Sequence, residues 1–145
     1  MFQRILVVCI GNICRSPVAA AMLAKALPER TIESAGLGAL AGQGVEPTAR
    51  ALGEAEGLPL SDHRARQLST DMINAADLIL VMSEGQRRAV GELAPEALGK
   101  TLRLGRWLDE GRGLDIPDPY RKSSDAFEHV HGLLKDATGA WIGKL

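Results

Sequence analysis

Apolar positions along the chain fall into two kinds of run. Ile5-Leu6-Val7-Val8, inside the stretch Arg4 to Ile10, is unbroken aliphatic with no polar alternation. A strand reads this way when both faces are covered, as in the middle of a parallel sheet. Leu78 to Met82 has the same character, Thr31 to Ala35 is a shorter strand, and Thr101 to Leu104 is a weaker one. The remaining apolar residues sit in helix-forming stretches. Ser16 to Leu27 is filled by Ala, Leu and Met until Pro28 stops it, and Glu46 to Glu56 ends at Gly57 and Pro59. Ser69 reads as an N-cap for a short helix through Met72 and Ile73, and Ser83 as the cap of one running to about Leu93. Ser123 or Ser124 opens a last helix to about Ile142. Gly36 to Gly44 and Asp62 to Leu68 read as irregular, and Gly105 to Tyr120 as a long loop with three Gly and two Pro.

The order β-α-β-α-α-β-α-β-α predicts an α/β fold of three layers, a central four-stranded parallel sheet with helices on both faces. Ligands bind such sheets beyond the carboxyl ends of the strands. The loop after the first strand and the long loop after the fourth both emerge at that edge. At 145 residues the chain, 1–145, is expected to be a single domain.

Composition narrows the setting. Hydrophobic residues make up 46% and aromatics only 3%, so aliphatic side chains and alanine must fill the core. A net charge of −1 gives no support for binding nucleic acid or a membrane surface. No apolar run is long enough to span a bilayer, and the first apolar run reads as a strand rather than a secretory signal. The two cysteines lie in one loop and form no extracellular disulfide framework, so a cytoplasmic protein is expected.

That loop carries the candidate chemistry: Cys9-Ile10-Gly11-Asn12-Ile13-Cys14-Arg15-Ser16. It joins the end of a buried strand to the start of a helix, where backbone N–H groups lack helical partners and the helix dipole is positive. Such a loop binds a tetrahedral oxyanion and favours a thiolate over a thiol. Gly11 and Asn12 tolerate the positive φ that curling the amides inward requires. Arg15 supplies a planar fork for two phosphate oxygens. Ser16 can cap the helix or donate to a thiolate, and Pro17 suits a first helical turn.

The loop Cys9-(five residues)-Arg15-Ser16, with Asp118-Pro119-Tyr120 far downstream, resembles the low-molecular-weight protein tyrosine phosphatases. Glu33-Ser34-Ala35-Gly36, Ala65-Arg66-Gln67, Asp77 to Met82 and Ile116-Pro117 also fall where that family carries related segments. The likeness is greatest to the bacterial branch associated with capsule and exopolysaccharide export. It implies the fold called phosphotyrosine phosphatase I-like and hydrolysis of phosphotyrosine through a phosphocysteine intermediate. The implied partner is a phosphotyrosine protein, a tyrosine autokinase of polysaccharide export, with no metal or cofactor.

The resemblance assigns Cys9 as nucleophile, Arg15 as phosphate clamp and Asp118 as general acid. Pro117 and Pro119 restrict the backbone on either side of that acid. Ile10, Gly11, Asn12, Ile13, Cys14 and Ser16 would line the phosphate loop, with Leu40 and Tyr120 as walls of the cleft. Ser34 and His63 would support Asn12 from behind, although His63 also reads as an ordinary loop histidine. Cys14 is either a small packing residue or, by the resemblance, a partner that traps oxidised Cys9 as a disulfide. The loop after the second strand has no aromatic, Leu40 being its best apolar substitute, and Arg121 follows Tyr120 where relatives often have a second aromatic. A more open cleft is expected.

Other readings fit less well. Thioredoxin-coupled arsenate reductases share such a loop but need further cysteines, and this chain has 2. A phosphocysteine carrier lacks the pairing of Arg15 with Asp118, and an oxyanion-binding module without catalysis is the remaining alternative. His129 and His131, two apart on a helix, point away from each other and suggest no metal site. Arg87 and Arg88 read as solvated charges on a helix face.

Overall fold

The structure is a computed structural model that describes residues 2–145. Four strands, β1 (Arg4–Cys9), β2 (Thr31–Gly36), β3 (Leu78–Val81) and β4 (Thr101–Arg103), form one sheet in the order β2-β1-β3-β4. All neighbouring pairs are parallel. The helices are α1 (Ser16–Ala26), α2 (Pro47–Ala55), α3 (Thr70–Ala75), α4 (Glu84–Leu93) and α5 (Ser124–Ile142). This is the three-layer α/β architecture that the apolar runs predict.

The aliphatic run of β1 is unbroken because its two faces serve two cores. Ile5, Val7 and Cys9, with Leu78, Leu80 and Met82, pack beneath α1 and α5 around Leu23, Phe127, Leu134 and Trp141. Leu6, Val8, Ile79 and Val81 face the other way, onto Ile73 of α3 and Val90 of α4. Successive side chains of a strand alternate between faces, so a covered strand must be apolar at every position. Burying a Leu or Ile stabilises the fold by roughly 1.5–3 kcal/mol relative to leaving it exposed.

Strand β1 is central, with β2 on one side and β3 on the other. The chain leaves the β1 carboxyl end at this reversal of strand order, which is where a crevice opens in a doubly wound sheet. Gly36, paired with Cys9, closes the side next to β2. A Cβ there would meet the Ile10 carbonyl oxygen at 2.4 Å, so only glycine lets β2 approach the loop this closely.

Several local expectations are corrected. Ser16 does not cap α1; it is the first helical residue, and the N-cap position is Arg15 with no side-chain cap. The cap of α2 is Glu46, whose carboxylate accepts from the Thr48 and Ala49 amides. Short 3-10 turns form at Pro95–Lys100 and Leu104–Trp107, the second shortening the long loop. Asp62 to Leu68 is not wholly irregular, because Gln67 makes a parallel bridge to Gly36. Arg87 is not a free surface charge: its guanidinium donates to the Thr101 and Leu98 carbonyls and pairs with Glu84, whereas Arg88 is exposed. His131 is buried against Glu56 at 3.1 Å, and Lys135 pairs with the same carboxylate. Hydrogen bonds from Lys135 and His131 outweigh the effect of burial and hold that carboxyl below its usual range. No helix among the described residues is long and apolar enough to cross a membrane.

Candidate active site

The loop from Ile10 to Arg15 turns its carbonyls outward. Ile10 O accepts from Gly38 N at 3.0 Å, Gly11 O from Leu40 N at 3.0 Å and Ile13 O from Glu46 N at 2.9 Å. Asn12 O takes a 2.7 Å hydrogen bond from His63 Nε2, which fixes that nitrogen as the protonated one. There are no cis peptides among the described residues. In a trans peptide the C=O and the following N–H point in opposite directions. The amides of Gly11, Asn12, Ile13 and Cys14 therefore face the inside of the loop. Four inward N–H dipoles beside a helix start make a ready anion cup.

Asn12 makes that curl possible. Its φ is 60°, and the residue is fully buried. The strained backbone is held by every polar group of its side chain. Nδ2 donates to Ser16 Oγ at 2.7 Å and to Ser34 Oγ at 3.0 Å, and Oδ1 accepts from Arg66 N at 3.0 Å. Together with the His63 contact, residues from β2 and from the segment before α3 brace one residue of the loop.

Cys9 lies at the end of β1, 2% exposed, with its sulfur 3.0 Å from Ser16 Oγ. Cys14 is also buried, and both thiols are free. Burial, followed by the nearby Asp118 and Glu46 carboxylates, pushes the Cys14 thiol up to about 12. Cys14 is therefore a neutral thiol near pH 7.

Arg15 is 4% exposed. Its Nη1 donates to the Ile116 carbonyl at 2.7 Å, while its buried Nε has no partner among the described residues. Asp118 Oδ2 lies 3.7 Å from Arg15 Nη2, and Asp118 Oδ1 accepts from Tyr120 N at 3.0 Å. The Asp118 carboxylate is about half exposed. Asp115, the other acid of this loop, is tied to Arg103 at 3.1 Å instead.

These groups meet in a cleft of about 140 Å³, lined by Cys9, Ile10, Gly11, Ile13, Cys14, Arg15, Gly38, Leu40, Asp118 and Tyr120. Asn12 and Ser16, expected in the loop's binding set, stand behind the cleft and act on its shape and on the sulfur. Gly38 is a lining residue that sequence reasoning missed; nothing in a Gly/Ala-rich loop marks it. The sequence marks Gln67 only through the segment Ala65-Arg66-Gln67. Its side chain accepts from Ala39 N at 2.9 Å and donates to Leu37 O at 2.7 Å, which pins the loop that carries Leu40.

The cleft thus offers a buried sulfur, amide and guanidinium donors for an oxyanion, and a carboxyl group above apolar walls. Known proteins resemble this chain in sequence and in fold. Residues 4–145 match the family model described as low molecular weight phosphotyrosine protein phosphatase. The chain is 47% identical, over 100% of its length and 95% of the relative's, to low molecular weight protein-tyrosine-phosphatase Wzb of Salmonella typhimurium. Among solved structures, the tyrosine phosphatase Wzb from Escherichia coli K30 in complex with sulphate superposes with a TM-score of 0.94 at 42% identity, covering 99% of both chains. The YwlE arginine phosphatase from Geobacillus stearothermophilus superposes with a TM-score of 0.89 at 34% identity, covering 98% of this chain and 92% of that one.

Proposed function

The chain belongs to the low molecular weight phosphotyrosine protein phosphatases and is a protein-tyrosine-phosphatase, and from that premise we propose the mechanism, residue roles and partner that follow. Cys9, as thiolate, attacks the phosphorus of phosphotyrosine in line. The inward amides and the Arg15 guanidinium bind the three equatorial oxygens and stabilise charge spreading over them. Asp118 donates its proton to the tyrosine oxygen as the P–O bond breaks, so the phenol leaves neutral. The product is phosphocysteine at position 9. Asp118, now a carboxylate, takes a proton from water, the water oxygen attacks phosphorus, and the P–S bond breaks to release phosphate. Ser16 donates to the sulfur as its negative charge returns.

The observation that carries this reading is the pairing of Arg15 with Asp118 over a cleft floored by Cys9. Apolar walls from Ile10, Ile13, Leu40 and Tyr120 suit an aromatic ring better than a charged guanidinium. This favours phosphotyrosine over phosphoarginine. The single domain 1–145 would act in the cytoplasm on a tyrosine autokinase of capsule or exopolysaccharide export.

The test is a phosphotyrosine peptide labelled with 32P, quenched rapidly in acid, beside a phosphoarginine peptide. Transient label on Cys9, turnover of the phosphotyrosine peptide alone, and a Cys9→Ser variant that binds phosphate without turnover are expected. Near wild-type turnover by Cys9→Ser would overturn the mechanism. For the partner, capture of a tyrosine-phosphorylated autokinase by Cys9→Ser is expected, and dephosphorylation of that kinase by the wild type completes the assignment. A purified autokinase that the enzyme leaves phosphorylated would refute it.

A further inference from the structure

A second groove, of about 480 Å³, runs beside the catalytic cleft. Ile10, Arg15 and Asp118 line both, so the two adjoin at the mouth of the active site. The rest of the groove includes Leu37 from the loop after β2, Gln86 and Ala89 from α4, and Pro117. Ile10 is 43% exposed, unusual for a large aliphatic side chain placed where two clefts meet.

Carboxylates outnumber cations along this groove, where Asp115 and Asp118 face Arg15 alone. Asp115 lines it and is half exposed, Glu84 begins α4 beside it, and Asp118 stands at the shared mouth. Arg103 and Arg87 tie down Asp115 and Glu84 at 3.1 and 3.3 Å, and of these four only Asp115 lines the groove. Arg15 is its one lining cation, is buried, and serves the phosphate in the reading given above.

A phosphotyrosine held in the cleft brings its chain neighbours along. Consecutive Cα atoms are about 3.8 Å apart, and an extended segment advances about 3.3 Å per residue. A residue next to the phosphotyrosine must therefore lie over the surface adjoining the cleft mouth. We propose that this groove is the subsite for a residue flanking the phosphotyrosine, and that it selects an apolar side chain there and rejects an acidic one. Ile10, Leu37 and Ala89 supply the apolar contact, and the lining carboxylates of Asp115 and Asp118 supply the rejection. This rests on the phosphotyrosine reading of the neighbouring cleft.

The test compares three phosphotyrosine peptides, with Leu, Lys or Glu on both sides of the modified residue, and p-nitrophenyl phosphate, which has no flanks. The wild type is expected to prefer the Leu peptide to the Glu peptide by roughly tenfold in kcat/KM, the scale of one apolar side-chain contact. Ala89→Trp fills the groove and is expected to cut that preference to about twofold or less, while kcat/KM for p-nitrophenyl phosphate stays unchanged. Ala89→Glu, a helix-compatible change, adds a carboxylate and is expected to turn the preference toward the Lys peptide. A wild type indifferent to flanking residues, or a preference untouched by either variant, overturns the subsite. Failure of the wild type to hydrolyse any phosphotyrosine peptide would instead overturn the reading of the cleft itself.

Discussion

Ser16 Oγ stands 3.0 Å from the sulfur of Cys9, and the hydroxyl has its proton free for that sulfur. The reason is Asn12. Its Nδ2 donates to Ser16 Oγ at 2.7 Å, so the oxygen accepts there and its own hydrogen is left to point at Cys9. A hydrogen bond to an ionised group is worth about 1.5–3 kcal/mol, several times a surface contact. Ser16→Ala should therefore slow alkylation of Cys9 by iodoacetate at neutral pH by about tenfold or more. An unchanged alkylation rate would show that the hydroxyl does not serve the thiolate.

Asp118 lines the same cleft as Cys9 with a half-exposed carboxylate, and the proposed mechanism makes it the proton donor to the leaving oxygen. Positioned acids contribute about 10²–10⁴-fold, and the need for one grows with the basicity of the leaving group. Asp118→Asn should cut kcat/KM for phenyl phosphate by about a hundredfold and for p-nitrophenyl phosphate far less. Equal losses on the two esters would remove the acid role.

Cys14 carries a thiol raised to about 12, chiefly by burial. Its folded value lies above its unfolded value, so the folded state keeps a proton that the unfolded state loses. The associated stability is complete below about pH 8.5 and declines as pH rises through the folded value. Melting temperatures of wild type and Cys14→Ala should diverge from about pH 9 upward, with the wild type falling faster. Parallel curves would contradict the shift.

Gln67 clamps Leu37 and Ala39 with one side-chain amide, and Leu40 follows directly into the cleft wall. Gln67→Ala should loosen that wall without touching the sulfur or its donors. KM for aryl phosphates is expected to rise about three- to tenfold with kcat little changed, while competitive inhibition by inorganic phosphate stays at its wild-type value. A fall in kcat at constant KM would mean that the clamp acts on the chemistry instead.

Much of the fold was legible because its signals are local. The apolar runs at β1 and β3 and the serine caps at Ser69, Ser83 and Ser123 lie where the sequence pattern puts them. The two short 3-10 turns were not legible, because one turn of tight helix leaves no periodicity to read. Ser16 shows how one residue type supports two readings. A serine at a helix start normally caps it, but here the chain enters the helix one residue earlier and the hydroxyl turns to Cys9.

Within the site the division is similar. Cys9, Arg15 and Ser16 are contiguous, so the strand-loop-helix transition that the sequence specifies is enough to bring them together. Backbone geometry over eight residues depends on short-range sterics and hydrogen bonds, which residue types such as Gly11 and Asn12 announce directly. Asp118 reaches Arg15 only because β4 lies in register beside β3, delivering the long loop to the same sheet edge. The brace of Asn12 by Ser34, His63 and Arg66, the Gln67 clamp and the groove beside Ile10 likewise join segments far apart in the chain. Contacts of that kind depend on where packed elements end in space, and no local pattern of residues encodes that position.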